Sequence, residues 1–306
     1  MAEIKKVGFV GIGNMGNPMA RHLVAAGFDI TVMDTRQEVV DAFVTAHGCH
    51  SESDPVALGG AVDAVITMLP TSKIVRSVIL GESGTSGVAD GMSEGSLVID
   101  MSTSSPEDTV ALGEALQARG IRTLDAPVAG GVVFAEDGSL LIMVGGDDTD
   151  KDRARPLLEA MGDEINDCGI LGGAHTMKAL EFNYVNAAAL IAGIEAMTVA
   201  MKFGLDADTA LAALKNACTG RNNPIEKKIE GHILNGKYAT GMPVGLIAKD
   251  VSIAVDSAEA LGAYAPMAKE TLRLWEEARD RFGFDPDQSE VVRLWEAETG
   301  VKLEDG

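Results

Sequence analysis

Three glycines at fixed spacing, Gly11-x-Gly13-x-x-Gly16, follow directly on a short apolar run, Lys6 to Val10, and an apolar helical pattern (Met15, Met19, Leu23, Val24) begins at once. In a strand-turn-helix context each glycine has its own task. Gly11 permits a tight turn, Gly13 lets a pyrophosphate approach the backbone, and Gly16 lets the helix pack on the strand. Free amides and the positive end of the helix dipole, with Asn14 and Met15 lying in the turn, would face the phosphate. A second apolar run, Asp29 to Met33, ends at Asp34, about where a ribose-binding carboxylate is found in such units. The pattern points to a bound dinucleotide rather than a plain glycine turn.

Three later segments carry groups that can act on a small molecule. Asp100-Met101-Ser102-Thr103-Ser104-Ser105-Pro106 is a strand end followed by a hydroxyl-rich turn, which also reads as a helix N-cap ahead of Pro106. Asp125-Ala126-Pro127-Val128-Ala129-Gly130-Gly131 ends in paired glycines whose amides can face a carboxylate. Lys178 lies near the start of a long helical stretch, in His175-Thr176-Met177-Lys178-Ala179-Leu180-Glu181-Phe182-Asn183. Its bland alternative is a solvated helix lysine paired with Glu181 at i+3.

The elements that must position these groups follow from the patterning. Strands are expected at Lys6 to Val10, Ile30 to Met33, Ala64 to Met68, Leu97 to Asp100, Arg122 to Ala126 and Leu140 to Val144, with helical stretches between the first five. That alternation is the grammar of a doubly wound α/β fold of Rossmann type with a parallel sheet. Pro70, Ser102 and Ala129 sit just beyond strands three, four and five, where such sheets bind ligands. After Gly172-Gly173 strand signals vanish and Ala- and Leu-rich helical stretches run to the end. His175 to Phe203 reads as one long helix, apolar over most of its surface, of the kind buried between layers or subunits. The expected domains are therefore residues 1–165, which bind the dinucleotide, and an all-α 166–306.

Composition limits the function. The chain has 306 residues, 46% apolar and 23% charged, as in a soluble globular protein. A net charge of −21 repels nucleic acid and anionic membrane surfaces, and 4% aromatic content leaves no base-stacking surface. Cys49, Cys168 and Cys218 have no CxxC spacing, so neither a disulfide framework nor a metal site is expected and a reducing compartment fits. The apolar run after Lys5 and Lys6 is too short for a signal-peptide core, and no segment reaches the length of a membrane span, so a cytoplasmic protein is expected.

Taken together, GIGNMG, DMSTSSP, DAPVAGG, the glycine pair before Lys178, Ala248-Lys249-Asp250-Val251 and a tail with Asp287-Gln288-Ser289 resemble the β-hydroxyacid dehydrogenase family, to which 3-hydroxyisobutyrate dehydrogenases and tartronate semialdehyde reductases belong. The resemblance implies a Rossmann-type domain followed by a helical domain, a nicotinamide cofactor in a cleft and a homodimer or homotetramer. It implies hydride transfer between a small 3-hydroxy acid and its semialdehyde or oxo acid, with no metal. Lys178 matches the family's general acid/base, which takes the hydroxyl proton in oxidation and protonates the alkoxide in reduction. Such a lysine must fall from about 10.4 to about 7 to 8, roughly 3 to 5 kcal/mol of desolvation or like-charge repulsion. Ser102 matches a substrate contact, Gly130 and Gly131 the carboxylate site, Thr103 a cofactor contact and Lys249 a lysine that closes over the cofactor. Leu69, Pro70 and Thr71 match the loop passing the adenosine ribose and pyrophosphate.

Three departures from the family pattern bear on the site. The family carries Asn at one or both of i+3 and i+4 after the lysine, where this chain has Glu181 and Phe182 and places Asn183 at i+5. One inserted residue explains this, and a local π turn around residues 178–184 would return Asn183 to the lysine's face as a substrate ligand. Ala129 stands where many members have Ser, and Phe134 where a small residue is common, which suggests a substrate with an apolar or larger tail. Asp34 favours NAD, whereas Arg36 offers a cation to the 2′-phosphate of NADP. The related imine reductases, and cofactor-binding scaffolds without catalysis, usually lack the lysine, so Lys178 argues against both.

Overall fold

The computed structural model describes residues 3–82, 84–191, 193, 201, 204–217, 224–260 and 266–304. The chain divides into two compact units, Met1–Lys178 and Ala179–Gly306.

In the first unit, β1 (Lys6–Val10), β2 (Asp29–Met33), β3 (His50–Ser51), β4 (Ala64–Thr67), β5 (Leu97–Asp100) and β6 (Arg122–Asp125) form one sheet in the order β3-β2-β1-β4-β5-β6. Every pair is parallel. This is the doubly wound order, in which the sequence reverses direction between β1 and β4 and a crevice opens beyond their carboxyl ends. β4 and β5 are buried along their whole length, as strands covered on both faces must be. Alternation then splits their side chains. Ala64, Ile66, Leu97 and Ile99 join one core with Phe9, Met19 and Leu23, while Val65 and Val98 join the opposite core with Leu58, Ile79 and Leu112.

Helices α1 (Gly16–Ala25), α2 (Gln37–His47), α3 (Pro55–Ala61), α4 (Ser72–Leu80) and α5 (Pro106–Gln117) connect the strands. Three start on side-chain caps: Asp54, Thr71 and Ser105 each accept a backbone N–H of the first turn, and Pro55 and Pro106 follow two of them. His50–Ser51 carries no strand signal because two residues are too few for a period.

Leu140–Val144 is a strand as expected, but it belongs to a second sheet, β7 (Val128–Ala129), β8 (Leu140–Val144) and β9 (Gly162–Asp167), in that order. Between them lie α6 (Gly131–Asp137) and α7 (Asp148–Met161). β9, with the sequence GDEIND, is mostly exposed, so it lacks the apolar alternation by which strands are recognised. β9 runs to Asp167 and a short helix α8 (Gly173–Met177) follows it, both within the first unit.

The second unit is helical, with α-helices at 186–191, Ala207–Ala217, Val244–Ala260, Pro266–Phe282 and Arg293–Thr299. Its core gathers Leu190, Ile229, Ile233, Val251 and the fully buried Trp275. The stretch expected as one helix, 175–203, is α-helical in α8, π-helical over Lys178–Val185 and α-helical again over 186–191. Most of the remainder to 203 lies outside the described residues, as does Cys218. Cys49 and Cys168 form no disulfide among the described residues. No described helix is long and apolar enough to cross a membrane, and no described cluster of His, Cys, Asp and Glu could hold a metal.

A second π-helix, Ile225–Ile233, carries Lys228, whose Nζ donates to Gln288 Oε1 at 2.7 Å. Burial pushes this amine down to about 8, against the opposing pull of Asp287. The folded chain therefore releases the Lys228 proton before the unfolded chain does. The cost of holding the charge is fully present below about pH 8 and is relieved as pH rises toward the unfolded value of about 10.4. Resistance to urea should accordingly increase between about pH 8 and 9.5, before tyrosines titrate, and Lys228→Met should abolish that increase. Parallel pH profiles for the two proteins would refute this assignment.

Candidate active site

The glycine turn leaves β1 at the point where the strand order reverses. Gly11 has φ +93° and its amide donates to the Met33 carbonyl at 2.8 Å. A Cβ on Gly11 would collide with the Met68 carbonyl, and one on Gly16 with the Gly11 carbonyl. A Cβ on Gly13 would meet only the Arg36 guanidinium, at 3.5 Å. Gly11 and Gly16 are thus required by the fold, and Gly13 keeps a face open. α1 begins at Gly16 with no side-chain cap from Met15; the Asn17 amide donates to the Gly13 carbonyl at 2.9 Å and Pro18 carries no N–H. Asn14 is exposed and Met15 half-buried on the same turn. These features fit a dinucleotide pyrophosphate.

Asp34, just past β2, is already engaged. Its Oδ2 accepts from the Ile12 amide at 3.0 Å, and its Oδ1 accepts from the Arg36 amide at 3.0 Å and Arg36 Nε at 3.1 Å. Burial pushes the carboxyl up, but the side-chain and backbone hydrogen bonds from Arg36, its charge and the Ile12 amide outweigh it and hold Asp34 below the usual carboxylate value. Asp34 is therefore an anion at neutral pH, with the Arg36 guanidinium lying between it and Gly13.

The carboxyl ends of β4, β5 and β6 form a buried polar row. Thr67 pairs in register with Asp100, and Asp100 with Asp125. Asp100 accepts from Thr67 Oγ1 at 2.9 Å, the Ser102 amide at 3.0 Å and Ser104 Oγ at 2.7 Å. Asp125, fully buried, accepts from the Gly172 amide at 2.9 Å and the His175 amide at 2.8 Å, and so caps α8 from outside the helix. The His175 ring reaches back, Nε2 to the Ser102 carbonyl at 2.9 Å and Nδ1 to Thr109 Oγ1 at 2.7 Å. Asp100, Asp125, Thr109 and His175 were given no role by sequence reasoning. The available signal was an aspartate closing each of two successive apolar strands, a place where a carboxylate is buried and must be paired.

The remaining expected residues fall into two groups. Ser102 is 1% exposed and its Oγ accepts from the Leu69 amide at 2.9 Å, which ties the loops after β4 and β5 together. Thr103 beside it is half-buried. Thr71 caps α4 and Pro70 is exposed. Gly130 and Gly131 adopt φ +123° and +75° and open α6. Ala129 is buried in β7, and Phe134 folds back so that its ring covers Gly130. The exposed apolar residues here are instead Val132 and Val133.

Lys178 is 7% exposed and follows α8 directly, one turn after His175. The π-helix begins at Lys178, and i→i+5 bonding gives Asn183 the place that i+4 holds in an α-helix. Asn183 Nδ2 is buried with no hydrogen-bond partner among the described residues. The Glu181 side chain lies outside the described residues. In the second unit, Lys249 Nζ pairs with Asp250 Oδ1 at 2.7 Å and remains partly exposed.

The sequence matches two family models end to end: the NAD binding domain of 6-phosphogluconate dehydrogenase over residues 6–172, and the NAD-binding domain of NADP-dependent 3-hydroxyisobutyrate dehydrogenase over 172–295. It is 31% identical to 2-(hydroxymethyl)glutarate dehydrogenase of Eubacterium barkeri over 306 residues, covering 100% of both chains. It is 34% identical to the NAD-dependent L-serine dehydrogenase of Pseudomonas aeruginosa over 303 residues, 97% of this chain and 100% of that one. The fold superimposes on 3-hydroxyisobutyrate dehydrogenase of Mycobacterium tuberculosis, solved with L-serine, with a TM-score of 0.83, 30% identity and coverage of 95% and 99%.

The glycine geometry separates folding from binding. Gly16→Ala should lower the melting temperature by at least about 4 °C, as a loss of about 2 kcal/mol implies for a domain of this size. Gly13→Ala should leave melting within about 2 °C of the parent yet weaken NADH, followed by its fluorescence, by about tenfold or more. Undiminished NADH affinity in Gly13→Ala would remove the dinucleotide from this turn.

Proposed function

The chain belongs to the β-hydroxyacid dehydrogenase family, and from that premise we propose how its own residues divide the work of the reaction. The protein is an NAD(P)-dependent oxidoreductase that interconverts a small 3-hydroxy acid and its semialdehyde or oxo acid. Its substrate is a small carboxylate. The substrates named for the relatives, 2-(hydroxymethyl)glutarate, L-serine and 3-hydroxyisobutyrate, all carry a CH2OH group on the carbon beside a carboxylate. A primary alcohol of that kind is the substrate class proposed here. Val132 and Val133, exposed directly after Gly131, favour an apolar third substituent.

The observation that carries the assignment is Lys178, a buried lysine at the junction of α8 and a π-helix, on a helix whose amides bond the carboxylate that ends β6. In oxidation the Lys178 amine accepts the hydroxyl proton, and in reduction its ammonium returns a proton to the alkoxide. A nicotinamide dinucleotide held at the Gly11–Gly16 turn would supply the hydride acceptor for the carbinol carbon. Asn183 orients the hydroxyl beside the lysine. The backbone amides of Gly130 and Gly131 hold the carboxylate. Gly11, Gly13 and the start of α1 hold the pyrophosphate, Asp34 takes the ribose hydroxyls, and Leu69, Pro70, Thr71 and Thr103 line the cofactor. A cytoplasmic homodimer or homotetramer is the assembly the family resemblance implies.

Lys178→Ala should lower kcat by about 10²- to 10⁴-fold while leaving the NADH dissociation constant within about twofold. Retained turnover in that variant would end the acid–base role. Wild-type initial rates should favour NAD, and Asp34→Ala should move the NADP-to-NAD ratio of kcat/KM upward by about tenfold by removing the charge that repels a 2′-phosphate. An unchanged ratio would take cofactor choice away from Asp34.

A further inference from the structure

We propose that His175 is a positioning residue for this reaction: its imidazole locks the Ser102 loop to the helix that ends at Lys178 and so sets where the lysine amine stands. The inference rests on the reading of Lys178 as the acid–base group.

The ring is completely buried, and each nitrogen has a partner on a different element. Nε2 lies 2.9 Å from the Ser102 carbonyl oxygen, in the loop after β5, and Nδ1 lies 2.7 Å from Thr109 Oγ1 on α5. A carbonyl oxygen only accepts, so Nε2 carries the proton. Nδ1 meets the Thr109 hydroxyl oxygen, which itself donates to the Ser105 carbonyl at 2.9 Å. The residue's own amide donates to Asp125 Oδ2 at the end of β6. His175 therefore joins a loop, a helix and a strand end.

Ser102 is held from both sides. Its amide donates to Asp100 Oδ1 at 3.0 Å, which fixes the loop to β5, and its carbonyl accepts from His175, which fixes the same residue to α8. Lys178 stands three residues after His175, a spacing that puts two side chains on one helix face. Movement of the ring is transmitted over one helical turn to the amine and, through the Ser102 carbonyl, to Thr103. A group needed only to fill the core could be aliphatic. The Ser102 carbonyl requires a donor at a set position, which a glutamine amide can supply and a shorter asparagine or an apolar leucine cannot.

The test compares His175→Gln, →Asn, →Ala and →Leu with Lys178→Ala in the full-length protein. The measurements are kcat and KM for L-serine, 3-hydroxyisobutyrate and 2-(hydroxymethyl)glutarate, the NADH dissociation constant by fluorescence, and thermal melting. His175→Ala should lose about 10- to 100-fold in kcat, the scale of a reacting group displaced by about an ångström, with NADH affinity within about twofold. His175→Gln should keep kcat within about threefold, and His175→Asn should lose about tenfold at a melting temperature close to that of the Gln variant. Added imidazole should raise kcat of His175→Ala by occupying the vacated space and should leave His175→Leu unchanged. Equal kcat in the Gln and Asn variants, or wild-type kcat in His175→Ala, would overturn the proposal. So would losses of kcat that track melting temperature and NADH affinity together, with no imidazole response. If the Ala and Leu variants fail to fold, the Gln and Asn pair decides alone. Retained turnover in Lys178→Ala would instead overturn the acid–base reading, a separate outcome from any of these.

Discussion

A carboxylate removed from water must be met by hydrogen bonds or positive charge, and two such groups, Asp100 and Asp125, close the adjacent strands β5 and β6. Leaving a buried carboxylate unmatched costs several kcal/mol, so the chain around each is obliged to supply donors. Asp100 recruits Thr67, Ser102 and Ser104, which folds the loop after β5 back over the sheet edge. Asp125 recruits the amides of Gly172 and His175, which fixes the first turn of α8 against the same edge. Lys178 is held in place by this pairing. Gly172, at φ +86°, can open the helix towards Asp125 in a conformation that other residues rarely adopt.

The other end of the binding crevice is built on excluded volume. Gly11 and Gly16 leave no room for a Cβ because strand, turn and helix are in backbone contact there. Electrostatics then acts on the remaining space. Asp34 stays ionised because Arg36 and the Ile12 amide hold its proton off despite burial, and the same pair sets an anion and a cation side by side near Gly13. A ribose hydroxyl and a 2′-phosphate would each find one favourable and one unfavourable member of that pair, so cofactor choice is a difference between two moderate terms.

The π-helix shows how a local change in the chain is absorbed without loss of the site. One residue more than the family pattern between Lys178 and its asparagine would turn an α-helix by about 100°. Widening the winding over Lys178–Val185 takes up an extra residue locally, and Asn183 Nδ2 within it is buried with no hydrogen-bond partner among the described residues. The same device recurs at Ile225–Ile233 around the buried Lys228, where it serves the packing of a helical core.

The sequence by itself determined the parallel, doubly wound class of the sheet, the glycine turn after β1 and even the π turn after Lys178. Each depends on residue type and spacing along the chain, which is where periodicity, backbone freedom and helix winding are set. The polar exposed β9 escaped notice because a strand that buries little leaves no apolar period. Only the tertiary structure decided which polar groups are spent on one another. It gave the Ser102 hydroxyl to the Leu69 amide, covered Gly130 with Phe134, and placed His175 between Ser102 and Thr109. Hydrogen bonds between residues far apart in the chain carry no local pattern, because what selects a partner is burial, and burial exists only once the sheet and its helices have closed over the strand ends.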